Sequence, residues 1–263
     1  MANTRLITSF LGYTASATSA DANFPATNVS IYGHPFRPWK ALVATGIVDL
    51  TLDLGVGKTL SALAADPGLF LYPTNVTSVR IQGNSSLSWG APPWDQLVTI
   101  AKDRLTGRYK GFFRLADLNA AAFAYRYLNL RIPSQTPVDG LPYRIGMVAV
   151  GNVTELSVNP SSPVVRNRLD PALTVDFLDG GREVMEMGEP VVELSLPRHL
   201  FDTTELNEAL DIDALGLGLP FVYWDAIMGT TDSGWLVRRQ APPRMSQPWV
   251  TVHEGELALR EVT

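Results

Sequence analysis

The run Val48-Asp49-Leu50-Thr51-Leu52-Asp53-Leu54-Gly55 alternates without a break. Its aliphatics, Val48, Leu50, Leu52 and Leu54, are separated by Asp49, Thr51 and Asp53, and a period of two sends the two sets to opposite faces of an extended chain. A half-buried strand is expected. Gly55 and Gly57 break it, and Leu60, Ala62 and Ala64 begin another alternating run. The stretch therefore predicts a strand, a tight turn and a return strand, the unit of an antiparallel sandwich. Upstream, Phe24-Pro25 and Trp39 predict a loop pinned by large apolar anchors.

Further strands follow along the chain. Val79 with Ile81, Leu97 to Ile100, Phe112 to Leu115, and Leu128, Leu130 and Ile132 predict strands. Leu6 to Leu11 predicts a first strand or an arm that packs on a neighbour, and Ala15 to Ala20 a loop. Pro67-Gly68 and Tyr72-Pro73 read as punctuation, and Gly83 to Pro93 as a loop carrying Trp89. Pro160-Ser161-Ser162-Pro163 marks a boundary. Beyond it, Leu173 to Phe177, a hairpin turn at Asp179-Gly180-Gly181 and Val192 to Leu196 are β again. One helix is expected from Asp202, an N-cap with Glu205 as its box partner, to Gly216. Phe221 to Trp224, Trp235 to Val237, Trp249 to Val252 and Leu257 to Leu259 complete the strands.

Several motifs resemble a known family. Asn23-Phe24-Pro25-Ala26-Thr27-Asn28-Val29, Trp39, the Asp53-Leu54-Gly55 strand end, Ser78 to Gly83, Trp94, and Tyr125 to Leu130 resemble the discoidin-like (galactose-binding-like) jelly roll. Pro142 to Gly151 resembles its closing strand as found in bacteriophage tail proteins. The later layout of Gly180-Gly181, Val191 to Leu196, Asp202 to Gly216, Pro220 to Trp224 and Leu259-Arg260-Glu261 resembles the C-terminal region of phage tail-tip proteins. The resemblance implies an all-β chain: an N-terminal arm or first strand over 1–21, a discoidin-like jelly-roll sandwich over 22–156, and a second, smaller β-rich domain with one short helix over 157–263. It further implies a structural subunit of a tail tip or baseplate, assembled in the bacterial cytoplasm and carried in the virion. Its partners would be other tail proteins (hub, distal tail or tail-tube subunits) in an oligomeric ring.

Bulk properties narrow the function classes. The 263 residues carry a net charge of −5, which argues against a general nucleic-acid binder. With no cysteine, disulfides and thiolate metal sites are excluded. The N-terminus lacks a secretory leader, and no apolar run is long enough for a membrane span.

No catalytic constellation emerges, and no cofactor is expected. Gly55-Val56-Gly57-Lys58-Thr59 imitates a phosphate loop, yet Leu52, inside the strand, stands where the first glycine belongs. His34, His199 and His253 are far apart and show no ligand spacing. There is no Gly-x-Ser-x-Gly elbow. Glu183, Glu186 and Glu189 read as a solvated face. Asp49 and Asp53, on one strand face, are weak candidates for a cation. Loop aromatics are the better lead. Trp39, Trp89 and Trp94 are candidates for stacking on a sugar, with core packing the competing reading for Trp39 and Trp94. Arg37 beside Trp39 is a candidate partner contact. Phe10-Leu11, Phe112-Phe113 and the Trp249 end are candidate assembly surfaces. The expectation is a non-enzymatic structural subunit, with a carbohydrate-binding module for host-surface glycan as the alternative.

Overall fold

The computed structural model describes residues 3–32, 36–157, 159, 165–169, 172–176, 182–186, 190–200, 203–225, 234–241, 244–249 and 252–262. In chain order the first elements are β1 (Arg5–Ile7), β2 (Thr14–Ala17), a 3-10 turn (Ala26–Ser30), β3 (Trp39–Lys40) and β4 (Val48–Asp53). Next come α1 (Leu60–Leu63), β5 (Pro67–Thr74), β6 (Ser78–Asn84), β7 (Trp94–Thr99) and β8 (Ala101–Lys102). They are followed by β9 (Tyr109–Arg114), α2 (Leu115–Leu118), β10 (Tyr127–Ile132), β11 (Arg144–Asn152) and β12 (Thr154–Glu155). Then follow β13 (Val165–Leu169), β14 (Ala172–Asp176), β15 (Arg182–Glu186), β16 (Val191–Leu200) and α3 (Thr203–Ala214). The last are β17 (Phe221–Trp224), β18 (Gly234–Arg239), β19 (Arg244–Trp249) and β20 (Val252–Glu261).

The chain is all-β in its architecture, and its first part is a jelly-roll-like sandwich. The front sheet runs β2-β4-β10-β6-β7 and the middle sheet β3-β11-β5-β9-β8, every pair antiparallel. Between them lies a core of Val48, Leu50 and Leu52 from β4, Leu128 and Leu130 from β10, and Leu69, Leu71, Val148 and Val150 from the middle sheet. A back sheet, β12-β1-β17-β18-β20-β16-β13 with β19 on β20, covers the other face of the middle sheet. Ile7, Phe70, Tyr72, Phe112, Met147, Ala149, Val222, Trp224 and Leu236 form that second core. Each fully buried Leu, Ile or Phe contributes roughly 1.5–3 kcal/mol, so the two parts are joined by more than a linker. A third core, with Phe221, Tyr223, Trp235 and Ile212 in it, seats α3 on the far face of the back sheet.

This stacking explains why β5 and β11 read as unbroken apolar runs. Successive side chains point to opposite faces of a strand, and both faces of the middle sheet are buried. Close approach is enforced by glycine. A Cβ at Gly68 would lie 2.3 Å from Val153 Cγ2, and one at Gly151 would lie 2.3 Å from the Ser9 carbonyl oxygen.

Several expectations are corrected. The run Leu60 to Ala64 is not a return strand. Leu60 and Ala64 are buried while Ser61, Ala62 and Leu63 are exposed, and the Ala64 N–H reaches the Leu60 carbonyl, so the period is one helical turn. β4 pairs with β2 and β10, and the chain crosses to the middle sheet before β5. Pro67 and Pro73 lie within β5: Pro67 opens the strand, and Pro73 occupies an irregularity between Leu71 and Thr74 in the pairing with β9. Part of the expected loop at Ala15 to Ala20 is β2, held on β4. The apolar run at Leu6 supplies β1, which sits between β12 and β17 of the back sheet. Phe112 and Phe113 are buried in two different cores and offer no surface. The turn at Asp179-Gly180-Gly181, the cap at Asp202 and the boundary at Pro160 to Pro163 lie outside the described residues, as do His34 and Glu189. β14 and β15, either side of that turn, do pair in antiparallel register, and α3 ends before Gly216, whose φ is 71°.

Candidate functional site

The sequence candidates separate on inspection of burial. Trp39 and Trp94 are fully buried in the sandwich core. The Trp39 indole donates to the Ser19 carbonyl at 3.1 Å, and the Trp94 indole to Ala121 at 3.3 Å while its ring meets Phe123 edge-on. Burial removes both from any stacking surface, because a ring closed in by its own core has no face left for a ligand. Trp89 is half-buried on its loop, with its carbonyl accepting from Arg131 at 3.2 Å. Arg37 is exposed. The structure does not bring these four together.

Asp49 and Asp53 are also accounted for. Asp49 sits in a buried network on the outer face of the front sheet. Asn129 donates to it at 2.7 Å and to Gln82 at 3.0 Å, Thr51 donates to Asn129, and Arg131 closes on Asp49 at 2.8 Å. Arg126 grips Asp53 with two bonds of 2.6 Å, and this hydrogen bonding holds the Asp53 carboxyl below its ordinary value. Each carboxylate already has its cation, so the expectation of a metal at this strand is corrected. Among the described residues no group of three His, Asp or Glu side chains could hold a metal ion. Lys58 lies in an exposed turn before a four-residue helix, too short to cradle a phosphate.

One concavity among the described residues is a groove of about 600 Å³ at one end of the sandwich. Four pieces of chain build it. Phe24, Phe36, Pro38 and Lys40 come from the segment entering β3, and Pro73, Thr74 and Asn75 from the end of β5. Lys102, Gly107, Arg108 and Tyr109 come from the β8–β9 hairpin, and Val138, Asp139 and Arg144 from the loop before β11. Four cationic side chains line it with one carboxylate; Arg144 pairs with that Asp139 at 2.7 Å and Arg108 with buried Glu261 at 3.6 Å. Three aromatic rings, Phe24, Phe36 and Tyr109, complete the wall. Lys40 stands 3.7 Å over the Phe24 ring and Arg108 4.7 Å over Phe36.

Local chemistry makes the walls rigid. Buried Asn75 donates to Asp139 at 2.9 Å and to the Pro142 carbonyl at 3.0 Å, and accepts the Arg144 N–H at 2.8 Å. It thereby staples the 138–142 loop to β5. Gly107, with φ 74°, turns the β8–β9 hairpin, and Asp103 accepts the Leu105 N–H inside it at 2.8 Å. Asp103 also binds Lys110 at 2.6 Å, both buried, and accepts from the Trp235 indole of the back sheet at 3.2 Å. Burial pushes the Asp103 carboxyl up, but the charge and hydrogen bond of Lys110, with the hydrogen bonds of Leu105 and Thr106, together hold it below the ordinary value. Arg108 donates to the Tyr72 hydroxyl, which donates to Glu261 at 2.6 Å, so the groove floor is tied to β20. Burial raises the Glu261 carboxyl, against the pull of Lys110, Tyr72 and Arg108.

Beside the groove the surface is apolar. Leu42 is 67% exposed, Ile47 63% and Leu141 52%, with Val43 and Val138 exposed between them. They share one end because Tyr143 ties the two loops. Its carbonyl accepts from Ala41, its N–H donates to Val43, and its hydroxyl donates to the Gly46 carbonyl at 3.2 Å. None of these groove or rim residues other than Phe24 and Arg144 stands in a motif. The available signals were the cation-rich stretch Lys102, Arg104, Arg108, Lys110 and Arg114, and the uncovered aliphatics of the β3–β4 loop.

No protein-family model matches the chain, and no curated protein matches it. Among solved structures it is similar to chitosan-binding module 1 from a chitosanase/glucanase of Paenibacillus sp. IK-5. That match has 18% identity and a TM-score of 0.36, over 55% of this chain and 97% of that one. A selenomethionine-labelled mutant of the module gives 18% and 0.37 over 57% and 99%. The chain is similar also to reduced XRCC1 bound to the DNA pol beta catalytic domain, with 15% identity and a TM-score of 0.40 over 56% and 98%. At these scores the likeness carries no functional argument.

Proposed function

We propose that this protein is a non-enzymatic structural subunit of a bacteriophage tail tip or baseplate, working through protein–protein contact. The observation that carries the reading is the exposed aliphatic patch of Leu42, Val43, Ile47, Val138 and Leu141 beside a groove of opposite character, cationic and aromatic. Contiguous apolar surface rimmed by charge is what a partner subunit covers. The phage setting comes from the resemblance of Pro142 to Gly151 and of the layout that follows it. The paired state of Asp49, Asp53 and Asp103 fits a chain without acid–base work. Mass spectrometry of purified virions tests it. The chain is expected in fixed ratio to tail subunits, and Ile47→Asp with Leu141→Asp is expected to lower its incorporation while circular dichroism stays unchanged. Absence from particles, or incorporation indifferent to both charges, would remove the reading.

A carbohydrate-binding module is the second reading, favoured by the aromatic rings and the hydrogen-bonding Thr74 and Asn75 in one concavity. The positive groove would select a neutral or acidic glycan. Binding on a glycan array that disappears with Phe36→Ala supports it, and a flat array ends it.

A further inference from the structure

We infer that copies of this chain join head to tail, with the acidic helix α3 of one copy docked on the cationic groove of the next. This rests on the assembly reading above and names its first partner. Between Leu200 and Val237 stand seven Asp and Glu residues and no Lys or Arg. Within α3 these are Glu205, Glu208, Asp211 and Asp213; Asp213 lies 3.8 Å from Arg239 and Glu208 accepts from Ser157, and Asp211 is exposed. In the groove Arg144 is paired with Asp139 at 2.7 Å and Arg108 with Glu261 at 3.6 Å, while Lys102 is exposed and Lys40 is half-buried over the Phe24 ring.

The apolar surfaces match as the charges do. Leu210, Leu217 and Leu219 are exposed on and just beyond α3, while Ile212 and Ala209 fill its buried side. The groove end offers Leu42, Ile47 and Leu141. Within one molecule the two surfaces do not meet, since no residue of α3 lines the groove. A contact between two different patches of identical chains is heterologous. It repeats until the rotation closes a ring or, failing that, extends as a filament. Opposite charge sets register and speeds encounter, and the aliphatics supply the area.

The test is charge reversal followed by sedimentation velocity of the full chain at low and high salt. The wild type is expected to associate with rising concentration, and less so in high salt. Lys40→Glu with Lys102→Glu, or Asp211→Lys alone, should weaken association about tenfold or more, since like charges then face each other. Mixing the groove-reversed and helix-reversed chains should restore it, as should all three changes in one chain. An isologous contact through one patch would be indifferent to reversal of the other. A wild type that stays monomeric at low salt, or reversed chains that never recover, overturns the inference. A monomer found in virions would leave the tail reading standing without this contact. An oligomer absent from virions would leave the contact without the tail.

Discussion

Replacing Lys110 by Met should destabilise the protein by about 3–5 kcal/mol, the range for removing one partner of a buried ion pair. The side chain of Lys110 is 0% exposed and that of Asp103 2%, with 2.6 Å between their charges. Met fills much of the space of the lysine stem, so the loss is electrostatic rather than a cavity. The Asp103 carboxylate keeps the Leu105 N–H and the Trp235 indole, but not its counter-charge. Lys110 also stands 4.2 Å over the Trp235 ring, a contact that ends with it. Native stability is of order 5–15 kcal/mol, so the variant should still fold, and urea unfolding followed by tryptophan fluorescence can measure it. Without Lys110, burial raises the Asp103 carboxyl. The folded variant then holds that proton more tightly than the unfolded chain, and the deficit should shrink as pH falls. Asp103→Asn combined with Lys110→Met removes both charges and should recover part of the loss, giving a coupling of about 2 kcal/mol or more. A loss under about 1 kcal/mol, or a double variant equal to the sum of the singles, would refute the claim that this pair locks the hairpin to the back sheet.

Glu261 has the sign opposite to that of Asp103 in the wild type, whose carboxyl is held below the ordinary value. Its folded carboxyl is raised by burial, so its contribution is fully present below the ordinary carboxylate value and fades as pH rises through the raised one. Glu261→Gln should flatten that fall in urea midpoints as pH rises above the ordinary carboxylate range, and parallel curves for the two proteins would contradict the assignment. Gly151→Ala should lower the thermal midpoint by the equivalent of about 1–3 kcal/mol or more, because its Cβ would lie 2.3 Å from the Ser9 carbonyl oxygen. Gly90→Ala, with nothing within 4 Å, is the matched control and should be neutral. Equal midpoints for the two variants would mean that the N-terminal segment does not press on β11.

The strands were legible where one face is wet or the alternation is strict. β4 and β10 follow from period two, and α3 from its apolar spacing and the glycine after it. The resemblance carried the sandwich itself. The turn at Leu60 was misread because five residues of small and aliphatic type satisfy period two and period 3.6 alike, and only the position of β5 selects one. Pro73 hid β5 because an irregularity in pairing leaves no mark in composition.

Local sequence set which faces are apolar, since side-chain direction follows from backbone period alone. It therefore specified strands such as β4 and β10, and the helix. Assembly in space settled the rest. β1 joined strands far along the chain, the middle sheet became buried on both sides, and Trp39 and Trp94 were turned inward. The groove belongs to this second class. Its cations come from residues as distant as Lys40 and Arg144, and proximity between such positions is created by loop closure over a packed core, which no window of sequence records.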